Sequence, residues 1–236
     1  MSSPAPVPTS AAAMKQRASD EFEAWAGGYD RSILQTLLFG PSCRLMLREL
    51  HALAVAREAR GQTGPIDLLD VGCGTGQFAA MAGATGLCGQ IFALDYAYNM
   101  VRKVAENQDR FAPDTASTLV PVQADAEHLP LASGSIDLLT CANSFHHYPH
   151  QAACIREFAR VLRPGGRLVL VDGCRDTAIG YLIFDVCVSA AEGGVHHASH
   201  EQVRGMFAEA GLGLVRQAKH QVFCPVLVSV GEVRGG

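Results

Sequence analysis

The eight cysteines of this chain (43, 73, 88, 141, 154, 174, 187 and 224) include no C-x-x-C pair, and no charged segment followed by an apolar one opens the sequence. An exported disulfide scaffold is disfavoured by both absences, so the thiols are read as reduced in a cytoplasmic protein. Long greasy runs are missing too: the longest, residues 178–191, is interrupted by Asp185 and is too short for a bilayer, so no membrane span is expected. Nor is there an excess of basic charge. A formal net charge of -4 gives no long-range attraction for phosphates, and no nucleic-acid partner is expected. Charged residues make up 18% and hydrophobic ones 48% of the 236 residues, a balance that favours a globule over disorder and leaves a small molecule as the favoured partner.

Residues 1–13, "MSSPAPVPTSAAA", bury almost nothing and read as a mobile tail ahead of a single domain, 14–236. Within it, 14–62 reads as an N-terminal helical cap. One helix runs from Met14 to Ala26, stopped by Gly27-Gly28, and a second from Pro41 to about Arg60, with Leu45, Leu47, Leu50, Leu53 and Val55 as its apolar positions. Strand and helix patterns then alternate through 63–236. Strands are expected at 66–71, 90–95, 118–123, 135–142 and 166–172, and helices near 76–85, 97–109, 149–162 and 199–211. Strands as continuously apolar as "RLVLVD" suit a parallel sheet buried on both faces, hence a doubly wound α/β fold. The closing "GLGLVRQAKHQVFCPVLVSVGEV" has two strand-like runs and no helix, which predicts a terminal antiparallel hairpin and seven strands in all.

The stretch "DVGCGTGQF" sets Gly72, Gly74 and Gly76 at alternate positions directly after the first strand. Ligands of open parallel sheets sit at the carboxyl ends of the strands, and glycines there let backbone N–H groups come close. A dinucleotide fingerprint needs glycine at position 77, where Gln77 stands, and a P-loop needs a G-K-[ST] that does not follow.

With "LLDVGCGTG" come, in order, "IFALDYAYNM", "VQADAEHLPLASGSIDLL" and "REFARVLRPGGRLVLVD". These four stretches, over residues 20–220, resemble the Rossmann-like class I S-adenosylmethionine-dependent methyltransferases. The resemblance implies S-adenosylmethionine as cofactor, with S-adenosylhomocysteine as product. It implies Asp95, followed by Tyr96, at the ribose hydroxyls and Asp125-Ala126 at the adenine. Asp70 and the loop Gly72-Cys73-Gly74-Thr75-Gly76 go to the methionine moiety, where Asn143 offers its backbone carbonyl. The competing role for Asp95, Asp125 and Asn143 is to cap strand ends.

After the fourth strand the chain reads "NSFHHYPH", not the Asn/Asp-Pro-Pro-aromatic signature of base-amine methylation, and resembles the small-molecule branch related to ubiquinone and menaquinone biosynthesis methyltransferases. That implies a small, partly apolar methyl acceptor. "FEAWAGGYDRS" resembles the aromatic segment covering the cofactor in that branch, which assigns Trp25 and Tyr29 to the pocket lid, against simple packing of a helix end. His146 and His147 are the best-placed candidates for acid–base catalysis, and at most one should face the cleft if the segment is extended. In "VHHASHEQ", His196 and His197 are placed in the substrate pocket beside an apolar insert, 175–197, whose alternative is core packing. Ser199 reads as a helix N-cap with Gln202 three residues on. No H-E-x-x-H pattern supports a metal, and none is expected. Thiol-dependent metalloid methylation keeps Cys174, Cys187 and Cys224 as candidates. An NAD(P)-dependent oxidoreductase and a cofactor-binding regulator or scaffold without transfer activity are the competing functions. The sequence sets no oligomeric state.

Overall fold

The computed structural model describes residues 10, 15–16, 39–107, 117–188, 195–220 and 225–235, without the side chains of 178 and 185–188. The expected 1–13 tail, the helix from Met14 to Ala26 and the aromatics Trp25 and Tyr29 lie outside them, save Ser10, Lys15 and Gln16.

Helix α1 (Gly40–Ala59) carries Pro41 in its first turn, where its missing N–H costs nothing. Its buried residues Cys43, Met46, Leu50 and Leu53 fall at spacings of three and four, which rolls Val55 off the stripe to 67% exposure, contrary to the expected apolar position. Next come β1 (Ile66–Val71), α2 (Gln77–Gly83), β2 (Cys88–Asp95), α3 (Tyr98–Glu106), β3 (Thr118–Gln123), β4 (Ile136–Ala142), α4 (Gln151–Val161) and β5 (Leu162–Gly173). A helical turn, Ala178–Gly180, continues as a π-helix, Tyr181–Val188, before α5 (His200–Glu209), β6 (Leu212–His220) and β7 (Val226–Val233).

The seven strands form one sheet ordered β3-β2-β1-β4-β5-β7-β6. All pairings from β3 to β5 are parallel, while β7 runs antiparallel to both β5 and β6. The terminal hairpin therefore closes the edge in reverse order, with the last strand inserted inside and β6 outermost. Alternating side chains divide the core. Leu68, Leu138 and Val169 pack with α1 and α2 on one face, while Leu69, Leu139 and Leu168 pack with α4 and α5 on the other. The described part of the expected helical cap is thus a layer on the sheet, with only its first turns reaching the strand ends.

Strand β5 begins at Leu162, four residues before the expected 166. Leu162 pairs with Ile136 and Arg167 with Leu138, so the intervening "RPGG" bulges out of the ladder. Gly166 lies so close to β4 that a Cβ there would come within 3.1 Å of the carbonyls of Ile136 and Asp137.

Candidate functional site

The strand order reverses between β1 and β4, and two cavities open there, at the carboxyl ends of β1, β2 and β4, sharing Gly72, Gly74, Ala142 and Asn143. The first cavity is lined by Asp95, Tyr96, Ala97, Met100, Asp125, Ala126, Ser144, His147 and Tyr148. The second is lined by Asp70, Cys73 and Thr75 together with Ser42, Cys43 and Met46 of α1. All ten residues expected around the cofactor other than Gly76 border one cavity or the other.

The glycine loop is tied into the sheet by its own amides. The N–H groups of Gly72 and Cys73 donate to the Leu94 carbonyl, that of Gly76 to Cys73, and that of Gly74 to Asp95 Oδ2 at 2.9 Å. The amides of Gly72, Cys73 and Gly74 stitch the end of β1 to β2, and that of Gly76 closes the loop on itself. The left-handed φ of +70° at Gly72 and +82° at Gly76 explains part of the glycine requirement. Packing explains the rest: a Cβ on Gly72 would stand 2.3 Å from Ser144 Oγ, and one on Gly76 2.9 Å from Val104.

Three carboxylates flank the loop. Asp70 is buried, and its hydrogen-bond donor is the Thr140 hydroxyl at 2.7 Å. Burial pushes its carboxyl up to about 7 against that bond, and the neighbouring charge of Asp95 adds to the rise. Asp95 accepts the N–H of Gly74 on one oxygen and that of Ala97 on the other, both at 2.9 Å. Asp125 accepts the Glu127 N–H at 3.0 Å and pairs with Lys15 Nζ at 2.7 Å, and Lys15 also reaches Glu127 at 2.8 Å. Burial would raise Asp125, but the bonds from Lys15 and Glu127 outweigh it and hold it below the ordinary carboxylate range.

This donor set fits S-adenosylmethionine. A carboxylate held protonated by burial and a neighbouring negative charge is suited to an ammonium, and Asp70 borders the second cavity, where one would be held. Asp95 and the Ala124–Ala126 backbone border the first cavity, where an adenosine would lie among Leu94, Ala97 and Met100.

At the end of β4, Asn143 takes a φ of +53°, the non-glycine residue with left-handed backbone among the described ones, and its N–H donates to Val171. Its turn leads into a short 3-10 helix, Phe145–His147, in place of the extended segment expected. The two histidines still diverge. His147 lines the first cavity, while His146 turns to Asp172 at the end of β5. Nδ1 of His146 lies 2.6 Å from Asp172 Oδ1, and its backbone N–H donates to Oδ2 at 2.8 Å. Burial would raise Asp172, but the charge and hydrogen bond of His146 hold it below the ordinary range.

Of the second histidine pair, His196 is exposed, its backbone tied to the His146 carbonyl and to Gln151, while His197 is buried. The rings of His147, His146 and His197 follow one another, with centroids 4.2 and 4.4 Å apart, and Phe184 of the insert lies 4.9 Å from His197. His146, Asp172 and His197 also form a group of possible metal ligands, which the sequence reading had not anticipated. Ser199 caps α5 in a reciprocal capping box with Gln202, as expected. Burial raises the thiols of Cys43, Cys88 and Cys141 to about 12 and also raises those of Cys73, Cys154 and Cys174, which removes the thiolate character that metalloid chemistry needs. Cys224 and the side chain of Cys187 lie outside the described residues.

Sequence reasoning missed Asp172, Ser144, Tyr148 and Lys15. Asp172 had a usable signal, as the carboxylate closing "RLVLVD" at the carboxyl end of a strand.

Residues 69–170 match a family model described as a methyltransferase domain. An uncharacterized chloroplastic methyltransferase of Arabidopsis thaliana is 33% identical over 120 residues, 50% of this chain and 34% of that protein. The ubiquinone/menaquinone biosynthesis C-methyltransferase of Pseudomonas putida is 32% identical over 173 residues, 72% of this chain and 62% of its own length. The chain spans about a third of the length of the first curated relatives it matches. In structure it resembles magnesium protoporphyrin IX methyltransferase of Synechocystis, solved with S-adenosylhomocysteine, with a TM-score of 0.68 at 16% identity over 94% of this chain and all of that one. With the strand order and glycine loop described above, residues 69–170 belong to the methyltransferase domain family, on a Rossmann-like class I methyltransferase fold.

Proposed function

We propose that this chain transfers a methyl group from S-adenosylmethionine to a hydroxyl of a small, partly apolar metabolite, with His146 as the base. The observation that carries this reading is the hydrogen-bonded pair His146 and Asp172, whose imidazole packs on His147, a residue lining the first cavity. When bound, S-adenosylmethionine supplies a methyl carbon on a sulfonium, whose bonding electron pair stays with sulfur as the methyl leaves. Asp70 balances the ammonium of the methionine moiety, Asp95 accepts the ribose hydroxyls, and Asp125-Ala126 border the adenine. Hydrogen bonding to Asp172 fixes the proton of His146 on Nδ1, so Nε2 is the basic nitrogen. Nε2 takes the proton of the acceptor hydroxyl as its oxygen bonds the methyl carbon, and Asp172 stabilises the resulting imidazolium. His147 and Tyr148 shape the wall between acceptor and cofactor.

A partly apolar acceptor is supported by the quinone-pathway name of the Pseudomonas relative. No observation favours a nicotinamide cofactor, for Gln77 opens α2 where the third glycine would stand. The test is calorimetric titration with S-adenosylhomocysteine, followed by transfer of labelled methyl from S-adenosylmethionine to a panel of hydroxylated apolar metabolites. Micromolar binding and a labelled ether support the reading; a protein that ignores S-adenosylhomocysteine sinks it.

A further inference from the structure

His197 is only 2% exposed, and neither of its ring nitrogens has a hydrogen-bond partner among the described residues. Burial pushes this imidazole down to about 4, so at neutral pH it holds one N–H donor and one lone pair, both unmet. A buried polar side chain left in that condition calls for a partner. The surrounding fold has made room for the ring: a Cβ on Gly173 would come within 2.8 Å of His197 Cδ2.

His146, Asp172 and His197 each bring a ligand atom within 4.8 Å of the others, a composition that suits a divalent metal. Ring geometry argues otherwise. Imidazole lone pairs lie in the ring plane, and the planes of His146 and His197 are stacked only 22° from parallel, so their nitrogens address neighbouring points and not one ion. Asp172, moreover, already accepts the His146 ring, the His146 backbone N–H and the Gly173 N–H. Two polar atoms side by side on one molecule meet this arrangement better than a single cation.

We propose that His197 recognises the methyl acceptor through a second oxygen on the carbon next to the reacting hydroxyl, so that the acceptor is a catechol or vicinal diol on an apolar body. This rests on the reading of His146 as the base for a hydroxyl acceptor. His146 holds the reacting hydroxyl and His197 its neighbour; oxygens on opposite sides of a ring lie too far apart to meet both. Phe184 packs against His197 on a segment that also carries the exposed apolar side chains Ile179, Tyr181 and Leu182.

The test is calorimetric titration of the S-adenosylhomocysteine-loaded protein with 4-hexylcatechol and with 4-hexylphenol, which differ by the one oxygen. The expected result is about tenfold tighter binding of the catechol to the wild type, the worth of one buried hydrogen bond. His197→Phe and His197→Leu remove the hydrogen bond with two different shapes, and the preference should fall below twofold in whichever variant still binds S-adenosylhomocysteine. Equal affinity for the two probes, or binding of neither to the loaded wild type, overturns the proposal. So does a preference that survives both substitutions, or one that EDTA abolishes and zinc restores. A wild type that never loads S-adenosylhomocysteine overturns the underlying methyltransferase reading instead.

Discussion

Asp172 holds His146 at two points, the ring through Nδ1 at 2.6 Å and the backbone N–H at 2.8 Å, so one carboxylate sets both the imidazole and the turn that carries it. Asp172→Asn keeps an oxygen for the backbone but removes the charge that stabilises the imidazolium. Methyl transfer should drop about 100-fold in kcat, within the range usual for base catalysis, with S-adenosylhomocysteine affinity unchanged. An equal loss in cofactor affinity would assign Asp172 to structure alone. Because its folded pKa is depressed, Asp172 contributes stability above its unfolded value of about 3.9 and loses it as pH falls toward the folded one. Melting curves from pH 6 to 3 should therefore fall more steeply for the wild type than for Asp172→Asn.

Asp70 predicts a proton inventory. Its carboxyl, raised to about 7 by burial, stands largely protonated at pH 6 and should ionise when an ammonium arrives. Titration of S-adenosylhomocysteine at pH 6 in buffers of different ionisation enthalpy should show release of close to one proton, absent in Asp70→Asn. For the free protein the sign is opposite to that of Asp172. A raised carboxyl pKa favours the folded state below about 3.8, and that advantage is lost as pH rises through 7, so Asp70→Asn should melt higher than the wild type at pH 8.

Gly72→Ala meets two separate obstacles, a φ of +70° and the Ser144 side chain 2.3 Å from the new Cβ. Denaturant unfolding should show a loss of about 2–3 kcal/mol. Ser144→Gly added to it should return the steric share and leave the backbone cost of about 1 kcal/mol. Losses that simply add across Gly72→Ala, Ser144→Gly and the double variant would show that the contact contributes nothing.

Asp95 supports both the protein and its proposed ligand. Asp95→Ala frees the N–H groups of Gly74 and Ala97 as well as removing the acceptor for the ribose. Affinity for S-adenosylhomocysteine should weaken at least tenfold by calorimetry, and the melting temperature should fall in the absence of any ligand. Loss of affinity at constant melting temperature would mean that those two amides find other partners.

What the sequence revealed follows how far apart the cooperating residues lie. Strands β1 and β3 fall at the expected 66–71 and 118–123, because an apolar run bounded by loop residues needs no distant information. The start of β5 was hidden in "RPGG", whose proline and glycines read locally as a loop and pair with β4 only around a bulge. Asp70, Asp95, Asp125 and Asn143 stand out in the sequence because each lies at or just beyond the carboxyl end of a strand, and the fold gathers those ends beside two cavities. Asp172 beside His146 and Lys15 beside Asp125 join residues 26 and 110 positions apart, with no periodic signal linking them. The partners of the loop amides were hidden for a related reason: those of Gly72, Cys73 and Gly74 are Leu94 and Asp95, on a neighbouring strand.

The insertion of β7 between β5 and β6 bears on how the chain is made. Synthesis proceeds from the N-terminus, so β5 leaves the ribosome long before the strand that covers its free side. Until Val226–Val233 emerges, the apolar "RLVLV" of β5 presents unpaired backbone at an open edge, where another nascent chain can add on. β6 arrives first but has no place beside β5 in the finished sheet, and must wait for β7 to dock on both. Emergence of β7 is thus the step at which the growing chain covers the free side of β5.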